Sequence, residues 1–375
     1  MKPSWVAASS QPNEVALSCQ ACIRLSATPL GLNHSEVLRH WARTMTATAK
    51  EGLSPPVGME GGVVFTSKVY RRSFQGYFVR SCLGNDKIQR QDFYEILFMT
   101  DRYAVIGNPI EQSKSPLIHS AFAQVTGQDM NYTKLLAPID GFAGVVDAFR
   151  ASGGRGMNVT APFKLDAFAY ATDLAPSAQM AGAVNAMKFE GDKVFAENFD
   201  GVGLVRDLVH NLACPLKGRR VLILGAGGAT RGALLPLLAE QPAELVIVNR
   251  TVSKAQELAA LAQQHQTGQV PVQGLGYADL QREAFDVVLN ASSSSLMAEL
   301  PPLPPGVFAA GCLAYDLTYG KGLTPFLKLA QQAGVTQVAD GVGMLAEQAA
   351  EAFAWWRGVR PDTAAVIRQL TVPLL

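Results

Sequence analysis

Apolar and polar residues follow one another in regular alternating blocks from Met99 onwards. The apolar run Tyr103–Gly107 predicts a strand, and Ser115-Pro116 opens a helical pattern in which Ser115 is the expected cap. The segments that follow are strand-like at 132–137 and 155–160, helical at 140–151 and 163–171, and hairpin-like over Ala183–Asn198. This alternation is typical of an α/β domain in which helices cover a parallel sheet.

A second series of the same kind begins at Arg219. The strand-like run Val221–Leu224 leads directly into the glycine-rich stretch Gly225–Ala229, and a leucine-rich helix follows it. Further strands are predicted at 244–248 and 285–290, helices at 202–213, 252–264, 342–357 and 362–371, and a surface loop at Pro301–Pro305. The pattern therefore predicts two α/β units in series.

Residues 1–98 lack this alternation. A helical stretch at 35–45 is the one regular pattern we identify, and clusters of Ser, Thr, Gly and Pro interrupt most of the rest. We expect this segment to be an extension with no fold of its own, or the product of a start codon assigned too early. A targeting arm or a partner-binding arm is the alternative.

Composition narrows the functional classes. The 375 residues carry a net charge of +1, which gives no electrostatic reason to expect nucleic acid or an anionic membrane as a partner. Apolar stretches fall short of the roughly 20 residues that span a bilayer, and the amino terminus does not resemble a signal peptide. The five cysteines, including Cys19 and Cys22, lack the spacing of a metal site, so we predict no metal and a cytoplasmic location.

The stretch Gly225–Ala229 has the context of a dinucleotide-binding loop, with a strand before it and a helix after it. Gly225 permits a tight turn, Gly227 lets the backbone approach a pyrophosphate, and the N–H groups from Gly228 onward can face the anion. Position 230 is Thr, where the strict pattern has Gly or Ala. A tight turn without a ligand is the alternative.

The end of the second strand in this series indicates which dinucleotide is bound. NAD sites usually carry Asp or Glu there, whereas this chain has Asn249-Arg250-Thr251, followed by Ser253 and Lys254. A guanidinium can pair with a 2′-phosphate that a carboxylate would repel, so the pattern favours NADP over NAD. The alternative is that Arg250 and Lys254 are ordinary solvated charges at a helix start.

Polar residues gather at the ends of the predicted strands of the first series, where α/β enzymes bind ligands. They are Ser113, Ser115, Asn158, Thr160, Lys164, Asn185 and Asp200. Hydroxyl and amide groups suit a polyol, and a Lys paired with an Asp suits acid–base chemistry during hydride transfer. Taken singly, each also has a structural explanation, as a helix cap, a solvated charge or a turn residue.

Residues 99–375 resemble the shikimate dehydrogenase family. The shared segments are Gly107-Asn-Pro-Ile110, Ser113-Lys-Ser-Pro116, Asn158-Val-Thr160, Pro162-Phe-Lys164, Ala181-Gly-Ala-Val-Asn185, Asp200-Gly-Val-Gly-Leu204, Gly225–Ala229, Asn249-Arg-Thr251 and Asp340-Gly-Val-Gly-Met344 with Gln348. The resemblance implies NADPH-linked reduction of 3-dehydroshikimate to shikimate, in the pathway to chorismate and aromatic amino acids. Phe199, Ala186 and Pro176 depart from residues frequent in the family, which affects the surroundings of the site more than the reaction type.

The same resemblance implies roles for individual residues. Lys164 would transfer the proton with Asp200 as its partner, and shikimate would contact Ser113, Ser115, Thr160, Lys164, Asn185, Asp200, Tyr319 and Gln348. The cofactor would contact Gly225, Ala226, Gly227, Gly228, Ala229, Asn249, Arg250, Thr251, Val252, Ser253, Lys254, Leu317 and Gly341. It also implies a substrate domain of residues 99–199 plus 341–375 and a Rossmann-type NADP-binding domain of residues 200–340. Independently of the resemblance, a homodimer is a candidate assembly.

Two other functions stay open at this point. One is a quinate/shikimate dehydrogenase with relaxed cofactor use, since quinate carries one additional tertiary hydroxyl; the pair Asn249-Arg250 counts against NAD use. The other is a non-catalytic NADP-binding sensor, against which the presence of both Lys164 and Asp200 counts.

Overall fold

Two six-stranded sheets organise the part of the chain that the computed structural model describes, residues 100–280, 284–292, 301–320 and 322–374. All of these residues belong to one unit, Thr100–Leu375. The predictions for residues 1–98, including those for Cys19 and Cys22, lie outside the described residues and stay predictions.

The first sheet is built from the first half of the described chain. Its strands are β1 (Asp101–Gly107), β2 (Met130–Leu136), β3 (Gly154–Val159), β4 (Asp173–Leu174), β5 (Ala186–Glu190) and β6 (Lys193–Glu197). The order across the sheet is β2-β1-β3-β5-β6-β4. The intervening helices are α1 (Ser115–Thr126), α2 (Phe142–Ala151), α3 (Lys164–Tyr170) and α4 (Pro176–Ala181).

The strands β5 and β6 confirm the predicted hairpin, with Glu190 paired to Lys193 across the turn. They also make the sheet mixed, because β5 runs antiparallel to β3 while β1, β2 and β3 run parallel to one another. The predicted cap of α1 is wrong. Lys114 occupies the N-cap position, Ser115 is the first helical residue, and no side chain caps this helix.

The second sheet is parallel throughout and has the strand order of a dinucleotide-binding Rossmann fold. Its strands are β7 (Arg220–Leu224), β8 (Glu244–Val248), β9 (Val272–Leu275), β10 (Phe285–Asn290), β11 (Phe308–Asp316) and β12 (Gln337–Asp340), in the order β12-β11-β10-β7-β8-β9. The chain starts at the centre, builds outward on one side, and then crosses back to build the other side. Ligands bind such sheets at the carboxyl ends of the central strands, where this reversal opens a crevice.

Helices surround the second sheet and continue beyond it. They are α5 (Asp200–Arg206), which continues as a π-helical turn (Asp207–Asn211), α6 (Gly228–Ala239), α7 (Val252–His265), α8 (Pro325–Gln332), α9 (Val342–Arg357) and α10 (Ala364–Leu370). The bounds of α7 and α9 agree closely with the predicted helices at 252–264 and 342–357.

Helix α9, the penultimate helix, packs on the first sheet although it follows the second sheet in sequence. Phe353 meets Phe122 of α1 with ring centroids 5.8 Å apart, and Trp356 stacks on Tyr103 of β1 at 4.8 Å. The indole N–H of Trp356 donates to the carbonyl of Met187 in β5 at 3.0 Å. On this packing we propose the division into a discontinuous substrate domain, 99–199 plus 341–375, and a cofactor domain, 200–340.

Helix α5 is wedged between α6 and α9, and glycines permit the close approach. A Cβ atom at Gly201 would lie 2.2 Å from the carbonyl oxygen of Gly232 in α6. A Cβ atom at Gly203 would lie 2.7 Å from the backbone nitrogen of Gln348 in α9. Because any side chain at these positions would push the helices apart, the two glycines hold the start of α5, and with it Asp200, against both neighbours.

Candidate active site

A lysine and an aspartate form an ion pair where α3 and α5 begin. The ammonium nitrogen Nζ of Lys164 lies 2.5 Å from Oδ2 of Asp200. Both side chains are the first residues of their helices, and they are 35% and 18% exposed, so the pair is accessible to a small molecule. The two residues that the sequence singled out for proton transfer are therefore in direct contact.

The side-chain amide of Asn185 connects the Lys164–Asp200 pair to helix α9. Its Nδ2 donates to Oδ1 of Asp200 at 2.8 Å and to Oε1 of Gln348 at 3.3 Å. Its Oδ1 accepts from the backbone N–H of Phe199 at 2.9 Å. Asn185 is 3% exposed, so its amide is oriented by these contacts, and it leaves the second carboxylate oxygen of Asp200 to Lys164.

Tyr319 lies within electrostatic reach of this cluster from the second sheet. The residue follows β11 and is 41% exposed. Partial burial and the nearby negative charge of Asp200 both raise the pKa of the Tyr319 phenol. The hydroxyl therefore stays protonated at neutral pH and can donate a hydrogen bond.

Three hydroxyl residues follow β1 and β3 at the same edge of the first sheet. The hydroxyls of Ser113 and Ser115 lie 3.3 Å apart. Thr160 follows β3, and its backbone N–H donates to the carbonyl of Ile106 in β1 at 3.0 Å. Since parallel strands end at a common edge, these hydroxyls share that edge with Lys164, which begins the helix after β3.

Three buried polar side chains lie near Ser115; the sequence had singled out Asn158 among them, but not Tyr132 or His119. The Tyr132 hydroxyl donates to Oδ1 of Asn158 at 2.6 Å, and Nδ2 of Asn158 donates to the carbonyl of Asn185 at 3.3 Å. The imidazole of His119 stacks on the Tyr132 ring with centroids 4.3 Å apart. His119 stands four residues after Ser115 in α1, so helical spacing placed it on the same face.

The glycine-rich loop Gly225–Ala229 makes a tight turn between β7 and α6. Gly225 adopts φ +104°, and a Cβ there would lie 3.0 Å from the backbone of Ser292. A Cβ at Gly227 or Gly228 would meet no atom from other described parts of the chain within 4 Å, so both glycines border open space. The Thr230 hydroxyl donates to the carbonyl of Gly225 at 2.7 Å, which explains how Thr fits the third position of the motif.

The residues after β8 present a cationic surface without a carboxylate. Asn249 donates from Nδ2 to the carbonyl of Thr251 at 3.0 Å, which shapes the turn into α7. Arg250, Ser253 and Lys254 are exposed, and Val252 begins the helix. Guanidinium, ammonium and hydroxyl groups together fit a phosphate ester, so the residues present match NADP.

Two further predicted cofactor residues meet at the carboxyl ends of β11 and β12. A Cβ at Gly341 would lie 2.4 Å from the carbonyl oxygen of Leu317, so only glycine fits this approach. The N–H of Leu317 donates to the carbonyl of Asn290 at 3.0 Å. The structure thus places both residues at the edge of the second sheet where a dinucleotide would lie.

One contact joins the glycine-loop helix to the first sheet's helices. Nε of Arg231 in α6 donates to the carbonyl of Met180 in α4 at 2.7 Å. A Cβ at Gly182, which adopts φ +61°, would lie 3.1 Å from the Arg231 guanidinium. The segment that leads to Asn185 is therefore braced against the helix expected to carry the cofactor phosphates.

Sequence reasoning also made predictions about membranes and metals. Among the described helices, none combines the length and the apolar character that crossing a bilayer demands. Within the same described residues, no three His, Cys, Asp or Glu side chains come together as metal ligands.

The parallel Rossmann sheet with its glycine loop, together with the Lys164–Asp200 pair, defines a pyridine-nucleotide-dependent dehydrogenase. The sequence is 58% identical over 270 residues to the shikimate dehydrogenase (NADP(+)) of Aromatoleum aromaticum, covering 72% of this chain and 96% of that protein. The chain belongs to the shikimate dehydrogenase family.

Family descriptions and solved structures agree with this membership. The matching descriptions are the shikimate dehydrogenase substrate binding domain over residues 105–187, shikimate / quinate 5-dehydrogenase over 207–298 and the shikimate 5'-dehydrogenase C-terminal domain over 341–371. A crystal structure of an Ael1 enzyme from Pseudomonas putida is 56% identical, with a TM-score of 0.70 over 73% of this chain and 100% of that one. Shikimate 5-dehydrogenase from Thermus thermophilus in complex with NADP(H) and shikimate is 30% identical, with a TM-score of 0.62 over 72% and 97%.

Proposed function

We propose that the protein is an NADP-dependent shikimate dehydrogenase, which interconverts 3-dehydroshikimate and shikimate in the pathway to chorismate and aromatic amino acids. The observation that carries the proposal is the contact between Lys164 and Asp200, at the sheet edge where the hydroxyl side chains of Ser113, Ser115 and Thr160 also lie. Membership of the family supplies the substrate class, since the curated relatives carry that activity in their names.

Lys164 holds and moves the proton in this proposal. Reduction of the C3 carbonyl develops negative charge on its oxygen, and an ammonium at that oxygen can deliver a proton to it. In the reverse direction Nζ of Lys164 receives the proton of the C3 hydroxyl. Asp200 fixes the ammonium through Oδ2, and Asn185 fixes the carboxylate through Oδ1, so the rotamers of both partners are determined.

The remaining polar groups orient the polyol. We propose that Asn185, Asp200 and Gln348 contact ring hydroxyls near Lys164, since these side chains are already joined by hydrogen bonds. The hydroxyls that follow β1 and β3, together with one from the second sheet, complete the set and contact the rest of the molecule. They are Ser113, Ser115, Thr160 and Tyr319.

The residues of the second sheet would hold NADP. The backbone from Gly225 to Ala229 would receive the pyrophosphate, segment 249–254 with Arg250 would receive the 2′-phosphate, and Leu317 and Gly341 would border the crevice. When bound, the nicotinamide supplies or accepts the hydride.

A comparison of reaction rates with different substrates and cofactors tests the proposal. Purified protein should consume NADPH in the presence of 3-dehydroshikimate, and should reduce NADP with shikimate much faster than NAD with quinate. Comparable rates with quinate and NAD would favour the quinate/shikimate alternative. Binding of NADPH without turnover of either substrate would favour a non-catalytic sensor. Lys164→Ala is the matched control, because it should bind NADPH without turning over substrate.

A homodimer and a cytoplasmic location belong to the proposal as well. Both rest on the sequence analysis. Sedimentation of the purified protein measures the first, and fractionation of the producing cells measures the second.

A further inference from the structure

The short loop after β11 is anchored by two buried carboxylates. It runs from Leu317 to Gly320 and carries Tyr319, which the proposed function places against the substrate. The carboxylates belong to Asp316, at the end of β11, and Asp340, at the end of β12; they are 0% and 9% exposed. Since these strands are neighbours in the sheet, both carboxylates lie at its carboxyl edge.

Asp340 joins this loop to the start of α9. Its Oδ2 accepts from the backbone N–H of Gly320 at 3.1 Å, immediately after Tyr319. Its Oδ1 accepts from the backbone N–H of Val342 at 3.2 Å, the first residue of α9. One carboxylate therefore ties the loop that carries Tyr319 to the helix that carries Gln348.

Asp316 holds the other side of the same loop. Its Oδ1 accepts from the backbone N–H of Thr318 at 3.0 Å, and its Oδ2 accepts from the Thr324 hydroxyl at 2.6 Å. The N–H of Gly341 also approaches the carbonyl of Thr318, at 3.4 Å. Backbone bonds thus hold the loop on both sides of Tyr319, whose side chain is partly exposed and interacts electrostatically with Asp200.

We propose that Asp340 is a positioning residue, whose hydrogen bond from the N–H of Gly320 sets the orientation of Tyr319 toward the substrate and whose bond from the N–H of Val342 fixes the loop to α9. The proposal rests on the proposed function, which supplies the substrate. Loop and helix come from different parts of the chain, and the two backbone bonds of Asp340 join them. The effect of Asp340 on substrate binding should therefore pass through Tyr319.

The pKa of Asp340 is raised, as expected for a carboxylate that is held in a buried position. Burial raises its pKa most, the neighbouring Asp316 adds to the rise, and the bonds from Gly320 and Val342 oppose it. If Asp340 only stabilised the second sheet, its replacement by Asn would change the affinity for substrate little. If Asp340 orients Tyr319, the same replacement should lower the affinity for substrate.

The experiment combines Asp340→Asn, Tyr319→Phe and the double variant, with Asp286→Asn as the matched control. Asn keeps the size of Asp340 but can accept only one of its two backbone bonds and turns a donor toward the other. Asp286 also accepts a backbone bond, from Arg220 at 2.8 Å, but at the opposite, amino edge of the second sheet. The full-length protein is assayed at saturating NADP for KM and kcat with shikimate, and amide hydrogen exchange is followed over 317–320 without ligands.

Asp340→Asn should raise the KM for shikimate about 10-fold with a much smaller change in kcat, as expected for one lost charged hydrogen bond. The double variant should bind shikimate no worse than Tyr319→Phe alone, and Asp340→Asn should accelerate exchange at Gly320. Asp286→Asn should leave the KM and this exchange unchanged.

Three results would overturn the proposal: unchanged exchange at Gly320, a KM unaffected by Tyr319→Phe, or increases in KM that multiply in the double variant. A loss of kcat in Asp340→Asn at unchanged KM, matched by Asp286→Asn, would also overturn it, because that pattern indicates a structural role alone. Failure of the proposed function looks different, since the wild-type protein would then not oxidise shikimate while the exchange experiment still decides whether Asp340 holds the loop.

Discussion

We predict that replacing His119 with Phe removes a large part of the acid sensitivity of the folded protein. The His119 imidazole is 0% exposed, and neither of its nitrogens has a hydrogen-bond partner among the described residues. It stacks on Tyr132 and lies 5.4 Å from the ring of Trp356, centroid to centroid. This burial lowers the pKa of His119 from 6.5 to about 3.

Acid destabilises the protein here because the folded and unfolded states bind protons differently. The unfolded chain protonates this imidazole below its pKa of 6.5, whereas the folded state keeps it neutral down to a pKa of about 3. Stability is therefore lost as the pH falls through this window, by up to about 1.4 kcal/mol per pH unit. Between about pH 7 and about pH 5, His119 alone removes about 2 kcal/mol from the free energy of unfolding.

Urea unfolding of the wild type and His119→Phe at these two pH values measures the effect. The larger ring costs about 1–3 kcal/mol in packing, but at both pH values alike, so the difference between them reports the proton. The wild type should lose about 2 kcal/mol more than the variant on acidification. His265→Gln is the control, because that side chain is exposed at the end of α7. Equal pH dependence of the wild type and His119→Phe would refute the argument from burial.

Three further predictions concern the site. Lys164→Ala should lower turnover about 100-fold or more while NADPH still binds, and Asp200→Asn should lose most activity, both measured as steady-state rates. If either variant turned over substrate as fast as the wild type, that residue would have no part in the mechanism. Arg250→Asp should weaken the binding of NADPH about 10- to 150-fold and reduce the difference in affinity between NADPH and NADH, both measured by titration. Lys217→Asp, at the amino edge of the sheet, should change neither affinity. Arg231→Met should lower the free energy of unfolding by about 1 kcal/mol or more in urea melts, because it leaves a carbonyl of α4 without its donor; an unchanged melt would argue against the brace.

The elements predicted best are those with strong local signals. The strand 244–248 agrees with β8 at both ends, because Leu245–Val248 is an uninterrupted apolar run after a turn. The strand β11 was missed because its first half contains the small residues Ala309-Ala310-Gly311, of which Ala310 and Gly311 are exposed, and because Gly311 adopts φ +74°. The four-residue strand β12 is too short for its period to be recognised.

Some contacts of the candidate site could likewise be predicted from the sequence, and others could not. The pairing of Lys164 with Asp200 was predicted because a Lys and an Asp together suit proton transfer and because the resemblance to the family implies that these two residues are partners. The tyrosine–asparagine contact between Tyr132 and Asn158 was not, since it joins β2 to β3 and depends on the register of the sheet. Likewise, the roles of Asp316 and Asp340 depend on the backbone N–H groups that their carboxylates meet, which no spacing in the sequence reveals.

The packing of α9 on the first sheet has a consequence for how the chain folds during synthesis. Arg357 donates to the carboxylate of Asp101 at 2.5 Å across 256 positions of sequence, and both side chains are almost completely buried. Tyr103 and Phe122 also pack on α9, which is synthesised after the second sheet. The apolar face that they form therefore stays uncovered on the ribosome while the residues of the second sheet are synthesised. Contacts of such long range slow folding and leave a partly formed domain that chaperones can bind. A chain released before residue 342 would keep that face exposed permanently, which marks prematurely terminated products for degradation.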